Sequence, residues 1–283
     1  MTSSPPNTHP LTLFIERVVQ TPQPGGYALI NITLNAPITL SLAQQFGAFY
    51  WHPLQANTAP LAMYLFDQTP LNLQLLSPTT LDDAALLQWT NAHITLQTAP
   101  QPVFNNALFN TLINSPTAQQ ANLLILASEA RLANALYLAK QRQAKQRQTK
   151  ANTPHQTGNT LVLLHASKTF GFVVKPARFM VPSMPAQAIG ACELLEDWGI
   201  ANRLASEAEL VGCYPGHLDQ LLTLWASAQP NPAYLKDINN VNSINDMSQD
   251  WQVISFVDDE QYADIKIACA QFDWLNLTTP LHV

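Results

Sequence analysis

Hydrophobic and polar positions follow two different patterns along this chain. Before residue 101, short runs of alternating apolar and polar side chains are separated by turn residues; the runs cover residues 11–19, 27–34, 46–51, 60–66, 71–76 and 94–96. Alternation with a period of two is typical of strands that bury one face, and strands at this spacing predict a small antiparallel β-barrel. We expect one helix within it, at residues 82–91, because the acidic pair Asp82 and Asp83 precedes apolar residues at helical spacing.

From Leu123 onward the pattern changes to buried strands that alternate with helices. The continuous apolar run from Leu123 to Ala127 is typical of a strand covered on both faces, and a helix is expected from about Glu129 to Arg147. The elements expected after it are strands at 160–165 and 177–181, a helix at 185–198, a strand at 203–205, a helix at 216–228, a strand at 251–257 and a helix at 260–272. This alternation predicts a parallel sheet with helices packed on it.

The two patterns define the fold class and the domain boundaries that we expect. The class is an antiparallel β-barrel followed by an α/β domain with a parallel sheet. Residues 1–10 are expected to be a disordered tail, residues 11–115 the barrel and residues 116–283 the α/β domain. A chain of 283 residues, of which 47% are hydrophobic, is long enough to bury the core of both domains.

Composition and charge exclude several classes of protein. The longest apolar runs are far below the ~20 residues of a membrane-spanning helix, so no membrane span is expected. No lysine or arginine occurs between Val18 and Ala130, and the basic run from Lys140 to Lys150 is expected to be a solvated helix face, so nucleic-acid binding is not expected. The three cysteines have no paired spacing and are expected to be buried, and the polar N-terminus lacks the features of a secretory signal; both favour the cytoplasm.

Three segments of the second half carry a resemblance to a known family. They are Leu161 to Leu164, Leu194 to Ile200 and Gly212 to Asp219. Together with the order of barrel, βα units and a final strand, acidic turn and helix, they resemble the ferredoxin reductase-like flavoproteins, and most narrowly the electron-transfer subunit of dihydroorotate dehydrogenase and its uncharacterised bacterial relatives. The resemblance covers most of residues 11–275. It implies a flavin-binding barrel, an NAD(P)-binding domain, FAD or FMN and NAD(P)H as cofactors, and a redox partner protein.

The residues that would hold the flavin are changed in this chain. The family holds the flavin phosphate with an arginine that is followed two or three residues later by tyrosine or serine. The corresponding stretch runs from Ala59 to Tyr64, and Ala59 stands in the place of the arginine. Tyr64 is either a cofactor contact that stacks on the flavin or a packing residue of its strand. Weakened or lost flavin binding is therefore expected.

The turns that would hold a nicotinamide dinucleotide are changed as well. The turn after the first strand of the second domain has no glycine and places Glu129 where a pyrophosphate would lie. Ser128 in this turn is a candidate cofactor contact, and with Glu129 it also has the residue types of a helix cap. The family's Cys-Gly-Pro turn is replaced by the residues from Ser255 to Asp258, which leaves Ser255 as a candidate contact. The family's cysteine-rich tail is missing, so no iron–sulfur cluster is expected.

The segment from Gly212 to Asp219 is the best place to expect a ligand. Gly212 and Gly216 permit unusual backbone angles, and Gly216 precedes a helix whose first N–H groups can bind an anion. A purely conformational role of both glycines is the alternative. Because the carboxyl ends of parallel strands share one edge, Ser128, Ser255 and the segment Gly212 to Gly216 are expected to converge on an inter-domain cleft and to bind a small nucleotide. The histidines are dispersed, and their spacing predicts no metal site.

Two hypotheses of function remain. The first is an oxidoreductase that transfers electrons between NAD(P)H and a partner protein through a weakly bound flavin, and the element order favours it. The second is a non-catalytic module that senses a ligand or binds a protein and keeps the two-domain fold without the cofactor residues. The changed motifs favour this second hypothesis, since a fold does not carry a function with it. The sequence singles out no catalytic residue.

Overall fold

The first half of the chain folds into a closed barrel of six antiparallel strands. The computed structural model describes residues 9–41, 45–51, 60–90, 93–99, 115, 120–152, 157–229 and 250–278. The barrel strands are β1 (His9–Pro22), β2 (Ala28–Leu34), β3 (Ala48–Trp51), β4 (Leu61–Thr69), β5 (Asn72–Ser77) and β6 (His93–Ala99). Around the barrel they follow the order β1-β2-β5-β4-β3-β6. The predicted antiparallel barrel is confirmed.

The alternating apolar residues of the strands build the inside of the barrel. In β2 every second residue is buried, and the residues between them are half-buried. The expected helix is present as α1 (Asp83–Trp89), and the side chain of Asp82 caps it by accepting a hydrogen bond from the N–H of Ala85 at 2.7 Å. Trp89 packs edge-to-face on Trp51, with ring centroids 5.5 Å apart. These two buried indoles join the helix to the barrel core.

The second half contains a parallel sheet and a small antiparallel one. Its strands are β7 (Asn122–Ser128), β8 (Thr160–Ala166), β9 (Val174–Pro176), β10 (Gly190–Cys192), β11 (Ala201–Ser206), β12 (Tyr214–Pro215), β13 (Trp251–Phe256) and β14 (Leu275–Leu277). Its helices are α2 (Leu132–Asn152), α3 (Glu193–Asp197), α4 (Leu218–Ser227) and α5 (Asp259–Cys269). Six strands pair in parallel in the order β12-β11-β8-β7-β13-β14, while β9 and β10 pair with each other. The predicted α/β architecture is confirmed.

Helices cover both faces of the parallel sheet. Leu123, Ile125 and Ala127 of β7 belong to the same hydrophobic cluster as the buried residues of α2. Leu124 and Leu126 point to the other face and share a cluster with α4 and α5. Every residue of β7 is therefore buried, which explains the continuous apolar run of this strand.

The segment between β8 and β11 differs from the expectation. The strand expected at 177–181 and the helix expected at 185–198 are wrong, since within this segment only Glu193–Asp197 is α-helical and the strands are β9 and β10. The buried carboxylate of Glu196 accepts hydrogen bonds from the N–H groups of Arg178 and Phe179, at 2.8 and 3.3 Å. These contacts hold residues 178–179 in a loop, because they satisfy the backbone donors that a strand would have used in a ladder.

Three expectations concern the ends of the chain, the domain boundary and membrane spans. Strand β1 begins at His9, residues 1–8 lie outside the described residues, and the disordered tail expected over residues 1–10 stays a prediction. The boundary expected between residues 115 and 116 stays a prediction. Among the helices that the structure describes, none has the length and apolar character needed to cross a membrane.

The barrel and the parallel sheet pack together through an aromatic seam, which consists of Phe46, Tyr137 and Phe256. The rings of Phe46 and Phe256 are stacked with centroids 5.9 Å apart, and Tyr137 lies 5.5 Å from Phe46. Beside the seam, Lys140 Nζ of α2 lies 2.6 Å from Asp67 Oδ2 of β4. The seam is buried, and one hydrophobic cluster extends through both halves of the chain.

Truncation of Trp89 tests the barrel core. Trp89→Ala is expected to lower the free energy of unfolding by about 3–5 kcal/mol, because it removes a fully buried ring. Leu87→Ala on the same helix is the control: its side chain is 76% exposed, and the expected change is below about 0.5 kcal/mol. Urea denaturation followed by circular dichroism measures both variants. Equal effects would contradict the described packing.

Candidate functional site

The carboxyl ends of the parallel strands form one edge of the sheet, and this edge is the candidate site. Strand β7 ends at Ser128, β8 at Ala166 and β11 at Ser206. Parallel pairing keeps the ends together, with Ser128 opposite His165 and Ser206 opposite Ala166. Open α/β sheets bind their ligands outside this edge.

Buried polar atoms without a hydrogen-bond partner are concentrated at this edge. In the described part of the chain, eight buried side-chain nitrogen or oxygen atoms have no partner. Three of them belong to residues near the ends of parallel strands: Ser128 Oγ, His165 Nε2 and Ser255 Oγ. Three more belong to the turns and helices that follow β7 and β13: Arg131 Nε, Asn134 Oδ1 and Gln261 Oε1. Buried polar groups nearly always have partners, so this concentration indicates water or a ligand at the edge.

Ser128 does not cap the helix that follows it. Its backbone is extended, as in a helix cap, but its side chain makes no capping hydrogen bond. Residues Glu129–Arg131 form a 3-10 turn, and α2 begins only at Leu132. The helix-cap interpretation of Ser128 is therefore wrong. Ser128 and Ser255 lie on the neighbouring strands β7 and β13, and both are buried.

Glu129 occupies the turn in which a dinucleotide phosphate would be held. Its backbone has a φ of +52°, in the left-handed region that is uncommon for a residue other than glycine. Its carboxylate accepts hydrogen bonds from the N–H of Ser167 at 2.6 Å and from the hydroxyl of Tyr27 at 3.1 Å. Burial, followed by the charge of Glu129 and this hydrogen bond, raises the pKa of Tyr27, so its hydroxyl stays a donor. The hydrogen bonds of the Glu129 carboxylate thus link the two halves of the chain. Its negative charge would repel a phosphate.

The ring of Tyr64 is covered by a cation from the second half of the chain. The guanidinium carbon of Arg131 lies 5.8 Å from the ring centroid, which is a cation–π contact. Burial raises the pKa of Tyr64, and the charge of Arg131 opposes this shift. The ring of Tyr64 therefore already has a partner within the chain.

The backbone N–H groups around Gly216 are used within the chain. The N–H of Gly216 donates to the carbonyl oxygen of Ser206 at 3.2 Å, and the N–H of His217 donates to Gln220 Oε1 at 3.2 Å. Gly216 has a φ of +145°, a conformation that favours glycine. The turn into α4 uses both of these donors, and the anion expected at the first N–H groups of the helix stays a prediction.

Gly212 lies in a close contact between backbones. It has a φ of +85°, and its carbonyl oxygen accepts a hydrogen bond from the N–H of Gly190 at 2.6 Å. The neighbouring Cys213 is a buried free thiol, and burial raises its pKa to about 11. A thiol with so high a pKa is a poor nucleophile at neutral pH. Strands β8 and β11 lie between β12, which follows Gly212, and β7, so Gly212 and Ser128 mark different places along the edge.

Three side chains meet between these two places. They are His165 on β8, Glu207 directly after β11 and His217 directly before α4. Glu207 Oε1 lies 3.3 Å from His165 Nε2 and 3.4 Å from His217 Nδ1. On the other side of its ring, His165 Nδ1 lies 3.3 Å from Gln261 Nε2. Burial lowers the pKa of His165, and the carboxylate of Glu207 opposes this shift, so His165 is neutral near pH 7.

A cavity of about 470 Å³ lies between the barrel and the second half of the chain. Its apolar walls include Leu29, Phe66, Leu76, Leu132, Leu136 and Phe172. Lys175, Glu193 and Asp197 also line it. The volume is in the range of small-molecule sites, and two carboxylates against one ammonium group disfavour a phosphate.

Sequence reasoning missed the cluster of His165, Glu207 and His217. The three residues are far apart in the sequence and have no metal-binding spacing. A usable signal was present, because His165 ends the strand expected at 160–165, Glu207 follows the strand expected at 203–205, and His217 lies in the first turn of the helix expected at 216–228. Two strands that pair in parallel bring such residues to the same edge, but the sequence does not show which strands are neighbours.

Comparisons with known proteins returned structures but no sequence relatives. No known protein-family profile matches the chain, and no curated protein matches it. A flavohemoglobin from Malassezia yamatoensis with bound FAD and heme is 8% identical, with a TM-score of 0.49 over 95% of this chain and 60% of that chain. The ferredoxin-NADP+ reductase from Plasmodium falciparum is 11% identical, with a TM-score of 0.48 over 95% of both chains. The ferredoxin reductase in carbazole 1,9a-dioxygenase, in its FAD apo form, is 10% identical, with a TM-score of 0.48 over 97% of this chain and 68% of that chain.

Substitution of Gly216 separates a ligand-binding role from a backbone role. A Cβ at this position would lie 2.4 Å from Gln220 Oε1, on a backbone that a β-branched residue rarely adopts. Gly216→Val is therefore expected to lower the melting temperature by on the order of 5 °C. Ala263→Val, at an exposed position of α5, is the control and is expected to change it by less than about 2 °C. Thermal denaturation followed by circular dichroism measures both, and an unchanged melting temperature of Gly216→Val would contradict the backbone role.

Proposed function

We propose that this chain is an electron-transfer protein of the NAD(P)H–flavin reductase type, related to the electron-transfer subunit of dihydroorotate dehydrogenase, in which flavin binding is weakened. Two features support the relation: the barrel that precedes a six-stranded parallel sheet, and the three segments of similar sequence. The observation that carries the weakened binding is the contact of Arg131 with the ring of Tyr64, 5.8 Å from its centroid.

A flavin on the barrel would have to displace this contact. Stacking requires an open aromatic face, whereas Tyr64 is only 7% exposed. Removing Arg131 from the ring gives up about 0.5–2 kcal/mol of cation–π interaction. No lysine or arginine between Val18 and Ala130 offsets this loss by binding the flavin phosphate.

The nicotinamide side supports the same proposal. Phe256 stands in the segment that replaces the Cys-Gly-Pro turn, and its ring is stacked on Phe46. Glu129 already accepts the N–H of Ser167, which therefore has no hydrogen left for a phosphate. Cofactor rings and phosphates thus compete with contacts inside the chain. We propose that flavin and NAD(P)H bind weakly and exchange rapidly.

The compartment and the partner follow from the same proposal. The three cysteines are free and buried, as is common in proteins of reducing compartments, and we propose the cytoplasm. A protein of this type passes electrons to a redox partner protein, and we propose such a partner here.

Absorption spectroscopy and flavin titration test the weakened binding. The purified chain is expected to show no visible flavin bands, and quenching of FMN fluorescence is expected to give a Kd above about 10 µM. Arg131→Ala is expected to tighten FMN binding about threefold, because it uncovers the ring of Tyr64. Arg147→Ala, which removes an exposed guanidinium elsewhere, is the control and is expected to have no effect. Retention of stoichiometric flavin through gel filtration would contradict the proposed weak flavin binding.

A second candidate function is favoured by the apolar cavity. We propose as this alternative a non-catalytic module that binds an uncharged apolar molecule between the barrel and α2. The cavity of about 470 Å³ lies at the junction where a ligand contacts both halves of the chain. An assay of electron transfer from NADPH with added flavin distinguishes the two functions, because a non-catalytic module transfers no electrons.

Filling the cavity tests this alternative. The probe is N-phenyl-1-naphthylamine, a neutral dye whose fluorescence rises in apolar sites. Leu29→Trp places a large ring in the cavity and is expected to weaken dye binding at least about tenfold. Leu224→Trp, at a half-exposed position of α4 that does not line the cavity, is expected to leave it unchanged. Equal dye binding by the two variants would exclude this cavity as the site.

A further inference from the structure

The side chains of His165, Glu207 and His217 have the separations of metal ligands. Glu207 Oε1 lies 3.3 Å from His165 Nε2 and 3.4 Å from His217 Nδ1. The three potential ligand atoms all lie within 4.8 Å of one another. A tetrahedral ion with bonds of about 2.1 Å places its ligand atoms about 3.4 Å apart. Two of the three separations therefore match such an ion.

His165 supplies a buried nitrogen that needs a partner. Its side chain is fully buried, and no described residue makes a hydrogen bond with its Nε2. The nearest charged atom is a carboxylate oxygen of Glu207, whose position does not satisfy hydrogen-bond geometry. A cation between the two atoms would satisfy both, because it accepts a lone pair from each.

Gln261 is placed to hold His165 in the form that binds a metal. Its side-chain amide lies 3.3 Å from His165 Nδ1, and its Oε1 has no partner among the described residues. Rotation of the amide by half a turn lets Oε1 accept the hydrogen of Nδ1. The lone pair then lies on Nε2, which faces Glu207. Metal-binding histidines usually donate their other ring N–H in this way.

Charge and access also favour a cation. The side chains of Glu207 and His217 are 42% and 53% exposed, so an ion can enter from solvent while His165 forms the floor of the site. Glu129 and Asp219 add negative charge near His165. Two histidines and one carboxylate with an open position form the ligand set of many metal sites in enzymes.

We propose that His165, Glu207 and His217 bind one divalent transition-metal ion of the Zn²⁺ class, with a coordination position open to solvent. Gln261 is a positioning residue of this site. The metal site uses different residues from the proposed flavin-related function. The metal-site proposal and the proposed function can therefore fail independently.

Titration of the full, tag-free chain with Zn²⁺ and Co²⁺ tests the site. After treatment with a chelator, the chain is expected to bind one ion with a Kd below about 10 µM, measured for Zn²⁺ by competition with a chromophoric chelator. Co²⁺ is expected to gain the stronger visible absorption of a four-coordinate ion. Saturating Zn²⁺ is expected to raise the melting temperature by about 5 °C or more, because the ion binds the folded state.

Variants of the exposed ligands decide whether these residues hold the ion. His217→Ala and Glu207→Gln are expected to weaken Zn²⁺ binding at least about tenfold, and neither removes a buried group. Asp264→Asn, which removes an exposed carboxylate of α5, is the control and is expected to bind Zn²⁺ with the same affinity as the unsubstituted chain. A chain that binds no Co²⁺ below about 100 µM, or equal affinities of all variants, would overturn the proposal.

Two variants of Gln261 test the positioning role. Gln261→Leu removes the acceptor and is expected to weaken Zn²⁺ binding by about 10–100-fold while the shape of the Co²⁺ spectrum is kept. Gln261→Glu keeps an acceptor and is expected to restore the affinity. Equal affinity of the two variants would show that Gln261 does not position His165.

Discussion

The packing of α2 and the sheet edge on the barrel is the constraint on which the other features depend. The rings of Phe46 and Phe256 are stacked across this junction, and Arg131 lies on Tyr64 beside them. Phe46, Phe256 and Tyr64 share one hydrophobic cluster, so separating the two halves would expose apolar surface to water. The junction therefore acts as part of the core.

The same constraint explains why polar chemistry is found along the sheet edge. The carboxylate of Glu129 accepts hydrogen bonds from Ser167 and Tyr27 in the turn after β7. Further along the edge, between β8 and β11, the cluster of His165 and Glu207 is open to solvent on one side. A parallel sheet offers its whole carboxyl edge to ligands, so more than one site can lie along it.

The apolar cavity is a third consequence of the junction. It lies between the barrel and the second half of the chain, and its walls include Leu29 and Leu136. A molecule bound there would touch both halves of the chain at once. Such a ligand would stabilise the pairing of the halves without any of the cofactor residues, because it binds only the folded state.

Residue patterns by themselves determined the architecture. The alternating run of β2 predicts a strand with one buried face, and the apolar run of β7 predicts a strand covered on both faces. Both patterns are local, so they can be read without knowing the tertiary contacts. The missing arginine at Ala59, which lies outside the described residues, and the missing glycine beside Ser128 were also visible at once. Tertiary structure alone decided which strands are neighbours. It brought the Arg131 guanidinium onto the ring of Tyr64. It also paired the N–H of Gly216 with the carbonyl oxygen of Ser206, and it brought Glu207, after β11, next to His165 of β8. The physical reason is that secondary structure follows from periodicity within a few residues, whereas a site is made by distant segments whose contacts depend on the packing of the whole chain.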